Sequence, residues 1–410
     1  MKPDSLRICL MTPELPPYRV GGIGTYVAAL AEEFGRLGHT VDVVGCDIHP
    51  GEAVVVHSWG RSLSLRSNDQ LLGGSGWQAM ENAVRWMFRH RVPGMWRVYP
   101  YTAVRNIAAA ALSLRRFVQR RGHHYDVIEY SNWPGQAAWL PKRKRAVYVA
   151  RLSTSSADTG GSPVALAMER QAVRRADTIA AHSQAMARKG EKLYGLPDGC
   201  VRPISLGLPD GPLGTPPEGP LRLVTVGRAE DRKGTDLLIS ALAAVLPEYP
   251  EVMFRFVGPG LSEYLTEKPA LRAAWERLIA TCPGRVEDSG RLPDAERERA
   301  VGQAHWMITP SRFESFGLVA VEAMRAGTPV VYAAAGGLEE VGTACPVNIA
   351  VRPDDGSDLE RAIRTVCREG TNTALAARTA ARRAFDESFS AKVMADRTLD
   401  FYRAALEVRA

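Results

Sequence analysis

The chain has 410 residues, a net charge of +7 and a hydrophobic fraction of 45%. A chain of this length is too long for one hydrophobic core and suits two domains, each large enough to bury its own. Its apolar stretches are interrupted by charged residues before they reach the length of a bilayer, which argues against a membrane-spanning protein.

The cysteines, the amino terminus and the histidines indicate the cellular compartment and the metal requirement of the protein. Six scattered cysteines contain no close pair that suggests a disulfide or a metal site. The first apolar run is too short for a signal peptide, and Arg7 interrupts it. Histidines are few and dispersed, and no Asp-x-Asp sequence occurs. We therefore expect a reducing, cytoplasmic setting and no metal requirement.

Charge is divided unevenly along the chain. Up to Asp210 there are 27 basic and 17 acidic residues, a net +10, whereas the remainder carries 25 and 28, a net −3. Residues 82–125 contain nine arginines and no acidic residue, interleaved with aromatic residues. Such a segment can contact an anionic membrane peripherally. A solvated basic face with its aromatic residues in the core explains it at least as well. With no nucleic-acid motif present, we expect no nucleic-acid partner.

In chain order, short apolar strands alternate with amphipathic helices in the first half. The strand pattern is typical of parallel sheets with crossover helices. A helix on the 3.6-residue pattern is predicted at 25–37, and residues 51–77 are predicted to be irregular, with helical stretches on to about residue 119. The predicted strands are 7–12, 41–44, 127–129 and 146–151.

The second half repeats this alternation after a break. Residues 211–220 are dense in glycine and proline and are predicted to be a linker. Strands are predicted from 221 and at 252–257, 306–309 and 330–332, and the chain ends in a predicted helix at 391–408. We therefore predict four parts. They are a Rossmann-like domain at 1–210, the linker at 211–220, a second Rossmann-like domain at 221–388, and a carboxyl-terminal helix at 389–410 that can cross back to the first domain.

The loop after the strand at 221 carries two cations, Arg228 and Lys233, between Gly227 and Gly234. Open α/β sheets bind ligands at the carboxyl ends of their strands. Positive charge fixed there can hold a diphosphate and stabilise it as a leaving group. Taken alone, the two side chains are better explained as solvated loop charges.

A second motif follows about eighty residues later, in Ser311-Arg-Phe-Glu314-Ser-Phe-Gly-Leu-Val-Ala-Val-Glu322. Glu314 is predicted to lie in a loop and Glu322 about a turn and a half into the helix that follows. The first amides of that helix can bind a phosphate. An ionised carboxylate, which only accepts hydrogen bonds, matches the two hydroxyls of a ribose. The predicted amide donors lie around Phe316, Gly317 and Leu318.

Together these motifs make the chain resemble the family 4 retaining glycosyltransferases. The resemblance also includes Gly21-Gly-Ile-Gly24 after the first strand and Gly336-Gly-Leu-Glu-Glu340 near the end, and it covers most of the chain. It implies a GT-B architecture, in which two Rossmann-like α/β domains with parallel sheets face each other across a central cleft. It also implies a hexosyltransferase that uses a nucleotide-diphosphate sugar, UDP- or GDP-linked, and no other cofactor.

The resemblance assigns roles to particular residues. Arg228 and Lys233 would bind the donor diphosphate, Glu314 the donor sugar and Glu322 the ribose. The glycine-rich turn would pack on the diphosphate and the sugar, and the base would lie near Arg291. The residues implied in the turn are Gly22, Ile23 and Gly24. The acceptor, a glycan, a glycolipid or a small molecule, would lie on the first domain near Asn132, Trp133 and Ser153.

The chain departs from the family in the first domain. Many relatives have a histidine where this chain has Ser153, and His and Asp where it has Ser131 and Asn132. Serine can donate to a sugar hydroxyl but cannot act unaided as a base near neutral pH. Family transfer is usually explained by front-face attack, in which the departing phosphate takes the acceptor proton. The missing histidine therefore does not forbid the reaction.

Other functions remain open at this point. The glycines at 21–24 with Asp42 resemble a dinucleotide fingerprint, but the turn is not directly off the strand and the Gly-x-Gly-x-x-Gly spacing is absent. A GT-B-fold sugar-nucleotide epimerase or a phosphorylase has the same fold, although the glutamate pair favours transfer. A catalytically weakened nucleotide-sugar-binding protein is the non-enzymatic alternative.

Overall fold

The computed structural model describes residues 5–14, 21–49, 52–58, 61–65, 99–142, 144–216 and 218–409. The chain divides into two compact units. The first is Met1–Ile204 together with Met394–Ala410, and the second is Ser205–Val393.

The first unit is built on a sheet of eight strands among its described residues. Their order is β4-β3-β2-β1-β5-β6-β7-β8, and all neighbours from β2 to β8 pair in parallel. The strands β5 and β6 are buried along their whole length, as expected of central strands covered on both faces. The strands are Arg7–Thr12 (β1), Thr40–His49 (β2), Glu52–Ser58 (β3), Arg61–Leu65 (β4), Val127–Ser131 (β5), Val147–Leu152 (β6), Thr178–Ala181 (β7) and Val201–Pro203 (β8).

One edge of this sheet differs from the prediction. Residues 52–65, within the region predicted to be irregular, contain the antiparallel strands β3 and β4, and β3 pairs with β2. Strand β3 forms because β2 offers it an edge to pair with. The glycine and tryptophan content of the region, on which the prediction was based, does not reveal such a pairing. The rest of the predicted irregular region, from 66 to 77, lies outside the described residues. The α/β class with central parallel strands is confirmed.

The helices of the first unit cover this sheet. Helix α1 begins at Gly22, so the glycines predicted to form a loop lie in its first turn instead. The helices are Gly22–Arg36 (α1), Tyr99–Arg121 (α2), Pro163–Arg175 (α3) and Gln184–Tyr194 (α4).

The second unit has a six-stranded sheet in its described residues, parallel throughout, in the order β11-β10-β9-β12-β13-β14. The predicted strand positions at 221, 252–257, 306–309 and 330–332 are confirmed. The strands are Leu221–Val226 (β9), Val252–Val257 (β10), Val286–Asp288 (β11), Trp306–Thr309 (β12), Val330–Ala333 (β13) and Ile349–Val351 (β14).

Helices connect these strands and enclose a core of leucine, isoleucine, valine and aromatic side chains. The longest of them contains a kink at Gly370, where φ is 70°. The helices are Thr235–Val245 (α5), Leu261–Thr266 (α6), Pro269–Thr281 (α7), Asp294–Gly302 (α8), Leu318–Arg325 (α9), Gly337–Thr343 (α10) and Gly356–Ser388 (α11).

The segment predicted as a linker at 211–220 belongs to the second unit. The Gly214 amide donates to the Ala326 carbonyl at 2.9 Å, and Arg378 donates to the Gly214 carbonyl at 2.6 Å. Arg382 donates to the carbonyl of Gly211 at 2.8 Å. The division between the units falls between Ile204 and Ser205 instead. Proline and glycine prevent regular structure here, but hydrogen bonds to helices still fix the backbone.

The last helix, Ala391–Arg409 (α12), packs mainly in the first unit. Its Tyr402 hydroxyl donates to Glu129 at 2.7 Å. Glu129 also accepts two bonds from Arg151, at 2.8 and 3.0 Å, and both side chains are almost completely buried. Burial alone would lower the pKa of the Arg151 guanidinium, but Glu129 raises it above its usual value. This buried ion pair joins β5, β6 and α12.

The strand orders define where each unit can bind a ligand. In open α/β sheets, ligands bind outside the carboxyl ends of the strands where the order reverses. In the second unit this point lies between β9 and β12, and in the first unit between β1 and β5. The loops that follow these four strands contain most of the residues predicted to be functional.

Candidate functional site

The loop after β9 packs closely against the loop after β12. Gly234 has a φ of 68°, and a Cβ atom at this position would lie 2.1 Å from the Pro310 carbonyl oxygen. Glycine is therefore required there, both for its backbone conformation and for space. This contact brings the Arg228–Lys233 loop next to Ser311 and Glu314.

Lys233 and Glu314 form an ion pair in this structure. Ser311 donates to the same carboxylate at 3.0 Å, and Arg232 lies 3.5 Å from its other oxygen. Arg228, Lys233 and Ser311 line one small cavity. Of the four residues predicted to bind the diphosphate, sugar and ribose of the donor, the structure thus brings together Arg228, Lys233 and Glu314. It adds Arg232 and Ser311 to this group.

Arg312 holds this arrangement in place. Its guanidinium contacts both carboxylate oxygens of Asp236, at 2.7 and 2.8 Å, and the carbonyl of Asp231 at 2.5 Å. It also donates to Asp354 at 2.7 Å. Bidentate arginine–carboxylate pairs are geometrically specific. Arg312 therefore fixes the short turn that carries Lys233.

The predicted phosphate-binding amides lie at the start of α9. Gly317 caps the helix with a φ of 108°, and the first amides of the helix have no intrahelical partner. The Phe316 side chain is only 2% exposed and packs against Phe389, with ring centroids 6.0 Å apart. Any contact of Phe316 with a ligand must therefore involve its backbone. The amides of Leu318 and Val319 are the donors that the helix geometry leaves available.

Glu322 lies on α9, as predicted, and forms an ion pair with Arg297 of α8. Burial raises the pKa of the Glu322 carboxyl, and Arg297 and Arg325 oppose that effect. Glu322 lines a cavity of about 370 Å³ between α8, α9 and the segment around Gly214. This cavity is separate from the one that Lys233 lines. The pairing with Arg297 was not foreseen, because nothing in the sequence relates positions 25 residues apart on two helices.

The loop predicted to bind the base follows β11. Gly290 has a φ of 58°, and its carbonyl accepts from the Gly258 amide at 2.8 Å. Arg291 is exposed. The backbone of this loop is therefore fixed against the loop after β10, while the Arg291 side chain extends into solvent.

In the first unit, a carboxylate occupies the glycine-rich turn. The Gly24 amide donates to Glu14 at 3.3 Å, and a Cβ atom on Gly21 would lie 2.3 Å from the same carboxylate. Ile23 is half-buried in this turn. Carboxylates are stabilised at helix amino termini by the free amides and the helix dipole. In this structure Glu14 therefore takes the place predicted for the diphosphate at Gly22 to Gly24.

Asn132 and Ser153 form a buried pair behind the ends of β5 and β6. Asn132 Oδ1 accepts from the amide and the hydroxyl of Ser153, at 2.7 and 3.1 Å, and Asn132 Nδ2 donates to Tyr194 at 2.8 Å. Asn132 is 0% and Ser153 3% exposed. Both were predicted to contact the acceptor or the sugar. Because their polar atoms are used inside the unit, the structure gives them a positioning role instead. Trp133 next to them is half-buried.

The chain matches known families over both units. Residues 21–207 match the glycosyl transferase 4-like domain, and residues 214–384 match the glycosyl transferases group 1 domain. Over 327 residues the chain is 32% identical to a D-inositol 3-phosphate glycosyltransferase of Nocardiopsis dassonvillei, covering 72% of this chain and 74% of that protein. The chain belongs to the family 4-like GT-B glycosyltransferases.

Solved structures share the fold of this glycosyltransferase at low sequence identity. The sucrose-phosphate synthase of Thermosynechococcus elongatus is 19% identical with a TM-score of 0.73, covering 98% of this chain and 100% of that one. Anabaena Alr3699/HepE, in complex with UDP and glucose, is 18% identical with a TM-score of 0.64, covering 97% and 100%. The predicted GT-B fold is confirmed.

No group of three His, Cys, Asp or Glu side chains with the arrangement of a metal site occurs in the part of the chain that the structure describes. None of the helices in the described ranges is long and apolar enough to cross a bilayer.

Proposed function

We propose that this glycosyltransferase transfers a sugar from a nucleoside diphosphate sugar, UDP- or GDP-linked, to an acceptor hydroxyl with retention of the anomeric configuration. The observation that carries this proposal is the contact between Lys233 and Glu314 beside Arg228, at the point where the second sheet reverses its strand order.

The pairing suits the junction between a sugar and its diphosphate. An ammonium group has three donors, so Lys233 can keep its bond to Glu314 and also bind a phosphate oxygen. Arg228 adds a second cation to the same cavity. The carboxylate of Glu314 only accepts hydrogen bonds and therefore suits sugar hydroxyls. Adjacent parts of one donor molecule would thus meet adjacent, oppositely charged side chains.

Glu322 and the amides of α9 support the rest of the donor. The half-buried carboxylate would accept from the ribose hydroxyls in place of Arg297, and the amides of Leu318 and Val319 would donate to a phosphate. The base would lie against the backbone of Gly290, where Arg291 extends beside it. The structure of Alr3699/HepE in complex with UDP and glucose supports a uridine nucleotide for a protein of this fold.

In the proposed reaction, the bond between the anomeric carbon and the diphosphate oxygen breaks and its electron pair leaves with the diphosphate. Arg228 and Lys233 stabilise the charge that develops on the departing oxygen. The acceptor hydroxyl attacks from the same face and gives its proton to that phosphate, so no side chain has to act as the base. We propose that the reaction requires no metal and takes place in the cytoplasm.

Retention of configuration is the direct test of this mechanism. UDP-glucose would be incubated with myo-inositol 3-phosphate as acceptor, because the chain is similar to the D-inositol 3-phosphate glycosyltransferase of Nocardiopsis dassonvillei. We expect an α-linked product, because the donor is α-linked, and the coupling constant of the new anomeric proton in an NMR spectrum measures this. A β-linked product would contradict the proposal.

The same incubation separates the alternatives. An epimerase would change the sugar nucleotide without any acceptor, and a phosphorylase would need inorganic phosphate as a reactant. A binding protein would leave the donor intact. We expect the release of UDP to depend on the acceptor, apart from a slow background of hydrolysis by water.

Nucleotide binding provides a second prediction that needs no acceptor. UDP or GDP should raise the melting temperature of the protein, because a ligand at about 100 times its Kd stabilises the folded state by about 2.7 kcal/mol. Replacing Glu322 by glutamine should remove most of the shift caused by the nucleotide. It should leave the shift caused by inorganic pyrophosphate unchanged, because pyrophosphate has no ribose. Differential scanning fluorimetry measures both.

Glu276→Gln is the matched control for this substitution. Glu276 is exposed on α7, where it pairs only with Arg272 among the ion pairs of the described residues. Its variant should respond to UDP like the unmodified protein. Equal losses of the UDP and pyrophosphate shifts in Glu322→Gln would argue against a ribose contact.

The basic face of α2 supports a proposal of peripheral membrane contact. Arg115, Arg116, Arg120 and Arg121 are exposed near the end of this helix. We expect the protein to sediment with phosphatidylserine vesicles at low salt and to be released at high salt, since such binding is electrostatic. Absence of binding at low salt would remove the proposal. No nucleic-acid partner is proposed.

A further inference from the structure

Asp354 has an unusual backbone conformation for its residue type. Its φ is 59°, and among the residues that the structure describes it is the only one other than glycine with a positive φ. A Cβ atom crowds the backbone in this left-handed region, which aspartate tolerates better than most residues and glycine adopts without strain. Strained positions persist where the surrounding contacts determine the conformation, and they cluster at functional sites. The conformation of Asp354 therefore points to a function for its side chain.

The side chain of Asp354 binds Arg312 from the loop between β14 and α11. Asp354 Oδ1 accepts from Arg312 Nε at 2.7 Å. The other two nitrogens of the guanidinium donate to the two carboxylate oxygens of Asp236, at 2.7 and 2.8 Å. Asp236 thus holds the end of the guanidinium, and Asp354 holds its Nε side. Because the group is planar, contacts on two of its edges give it a single orientation.

Arg312 in turn holds the backbone of the short turn that carries Lys233. Its Nη1 donates to the carbonyl of Asp231 at 2.5 Å, and its backbone amide donates to the carbonyl of Arg232 at 2.8 Å. From another side, the Tyr264 hydroxyl donates to the Asp231 carboxylate at 2.5 Å. The two residues that precede Lys233 are therefore fixed by side chains from outside the turn.

Lys233 is the residue of this turn that faces the candidate diphosphate site. Its ammonium pairs with Glu314, and its side chain lines the cavity that Arg228 also lines. Electrostatic stabilisation of a diphosphate requires cations that are held in place before the ligand arrives. Asp354 is not among the described residues that line this cavity, and its side chain is 65% exposed. Any effect of Asp354 on a ligand there must therefore pass through Arg312.

We propose that Asp354 is a positioning residue for the donor diphosphate. It orients Arg312, Arg312 fixes the turn, and the turn places the ammonium of Lys233. This inference rests on the proposed binding of the diphosphate by Lys233. It adds the loop after β14 to the loops after β9 and β12 as a third part of the second sheet that serves the donor.

The first experiment measures the turn without any ligand. Asp354→Gly removes the carboxylate and keeps the backbone conformation, because glycine adopts a φ of 59° without strain. We expect hydrogen exchange of the Lys233 and Gly234 amides to become about two- to fivefold faster, the range of one exposed ion pair. Asp354→Asn keeps an acceptor oxygen and tolerates the left-handed conformation, so it should restore most of the protection. An unchanged exchange rate in Asp354→Gly would overturn the inference.

The second experiment measures the donor. With UDP-glucose as donor and myo-inositol 3-phosphate as acceptor, Asp354→Gly should raise the donor KM about two- to fivefold and leave the acceptor KM unchanged. It should also reduce the melting shift caused by inorganic pyrophosphate. A merely structural role would lower the melting temperature of the free protein without moving either donor measurement. An unchanged donor KM in Asp354→Gly would overturn the inference while the proposed function stands.

The third experiment tests whether Asp354 acts through Arg312. Arg312→Gln removes the fork that binds Asp236 as well as the donor to Asp354, so it should raise the donor KM by about tenfold or more. In this background Asp354→Gly should have little further effect, because residues in contact on one path are not additive. The same factor in both backgrounds would show that Asp354 acts by another route and would overturn the inference.

Two more variants keep this cycle interpretable. Arg312→Lys keeps the charge and loses the fork, and it replaces Arg312→Gln in the cycle if the glutamine variant does not fold. Arg272→Gln is the control, since Arg272 is an exposed arginine on α7 that pairs with Glu276. It should leave the donor KM unchanged.

Failure of the proposed function would look different. The unmodified protein would then neither transfer glucose nor show a melting shift with UDP, GDP or pyrophosphate. Hydrogen exchange would still decide whether Asp354 holds the turn, because that measurement needs no ligand. An exchange rate that does not change in Asp354→Gly would overturn that link as well.

Discussion

Replacement of Lys233 by alanine should lower kcat/KM for the nucleotide sugar by about 10²- to 10³-fold, since a preorganised group that stabilises developing charge contributes about 2.7–4 kcal/mol. Lys233 pairs with Glu314 and lines the cavity that Arg228 also lines. Initial rates of UDP release measure the effect. Lys233→Arg should recover only part of the activity, because a planar guanidinium does not replace a compact ammonium.

The control for this prediction is Lys192→Ala. Lys192 is exposed on α4 of the first unit, and its replacement changes the net charge by the same amount. It should leave kcat/KM unchanged. Loss of activity in Lys233→Ala together with a collapsed circular dichroism spectrum would point to unfolding instead. Full activity in a folded Lys233→Ala protein would contradict the proposed role.

Replacement of Arg151 by methionine should destabilise the first unit by about 3–5 kcal/mol, because it leaves an uncompensated charge in the interior. Arg151 is 0% exposed, and its partner Glu129 is 3% exposed. The remaining bond from Tyr402 to Glu129 does not supply a positive charge. Hydrogen exchange of amides in β5, β6 and α12 measures the effect locally, which a two-unit protein requires since a single unfolding free energy is not defined for it.

The matched variant removes the charges together. Arg151→Met combined with Glu129→Leu and Tyr402→Phe replaces the buried polar groups with apolar side chains, and such replacements are often neutral or stabilising. We expect this triple variant to regain most of the protection that the single variant loses. A single variant as stable as the unmodified protein would show that Glu129 is neutral in the fold.

The second unit was largely predictable from local sequence. Lys233 and Glu314 each follow a short apolar strand, and neighbouring parallel strands end at the same edge of a sheet. Strand ends, glycine stops and helix starts are local signals. Two side chains predicted separately at two strand ends therefore meet in the structure as an ion pair.

The other features of the fold and the site depend on contacts that the spacing of residues in the sequence does not predict. Arg297 meets Glu322 across two helices, and Tyr402 meets Glu129 across 273 positions. Near β6, the resemblance directed attention to Ser153, because a histidine is usual there. Only the structure shows that Ser153 is buried and bonded to Asn132, whereas the adjacent Thr154 is half-buried. Burial decides between neighbouring hydroxyl groups, and the sequence does not specify burial at the resolution of one residue.

The return of the last helix to the first unit has a consequence for biosynthesis. The ribosome must finish all of residues 205–393 before Thr398 and Tyr402 can reach Glu129 and Arg151. The first unit therefore lacks this part of its packing until α12 has been synthesised, whereas the core residues of the second unit all precede α12 in the chain. A premature stop codon ahead of Thr398 would thus harm the part of the protein that was made first.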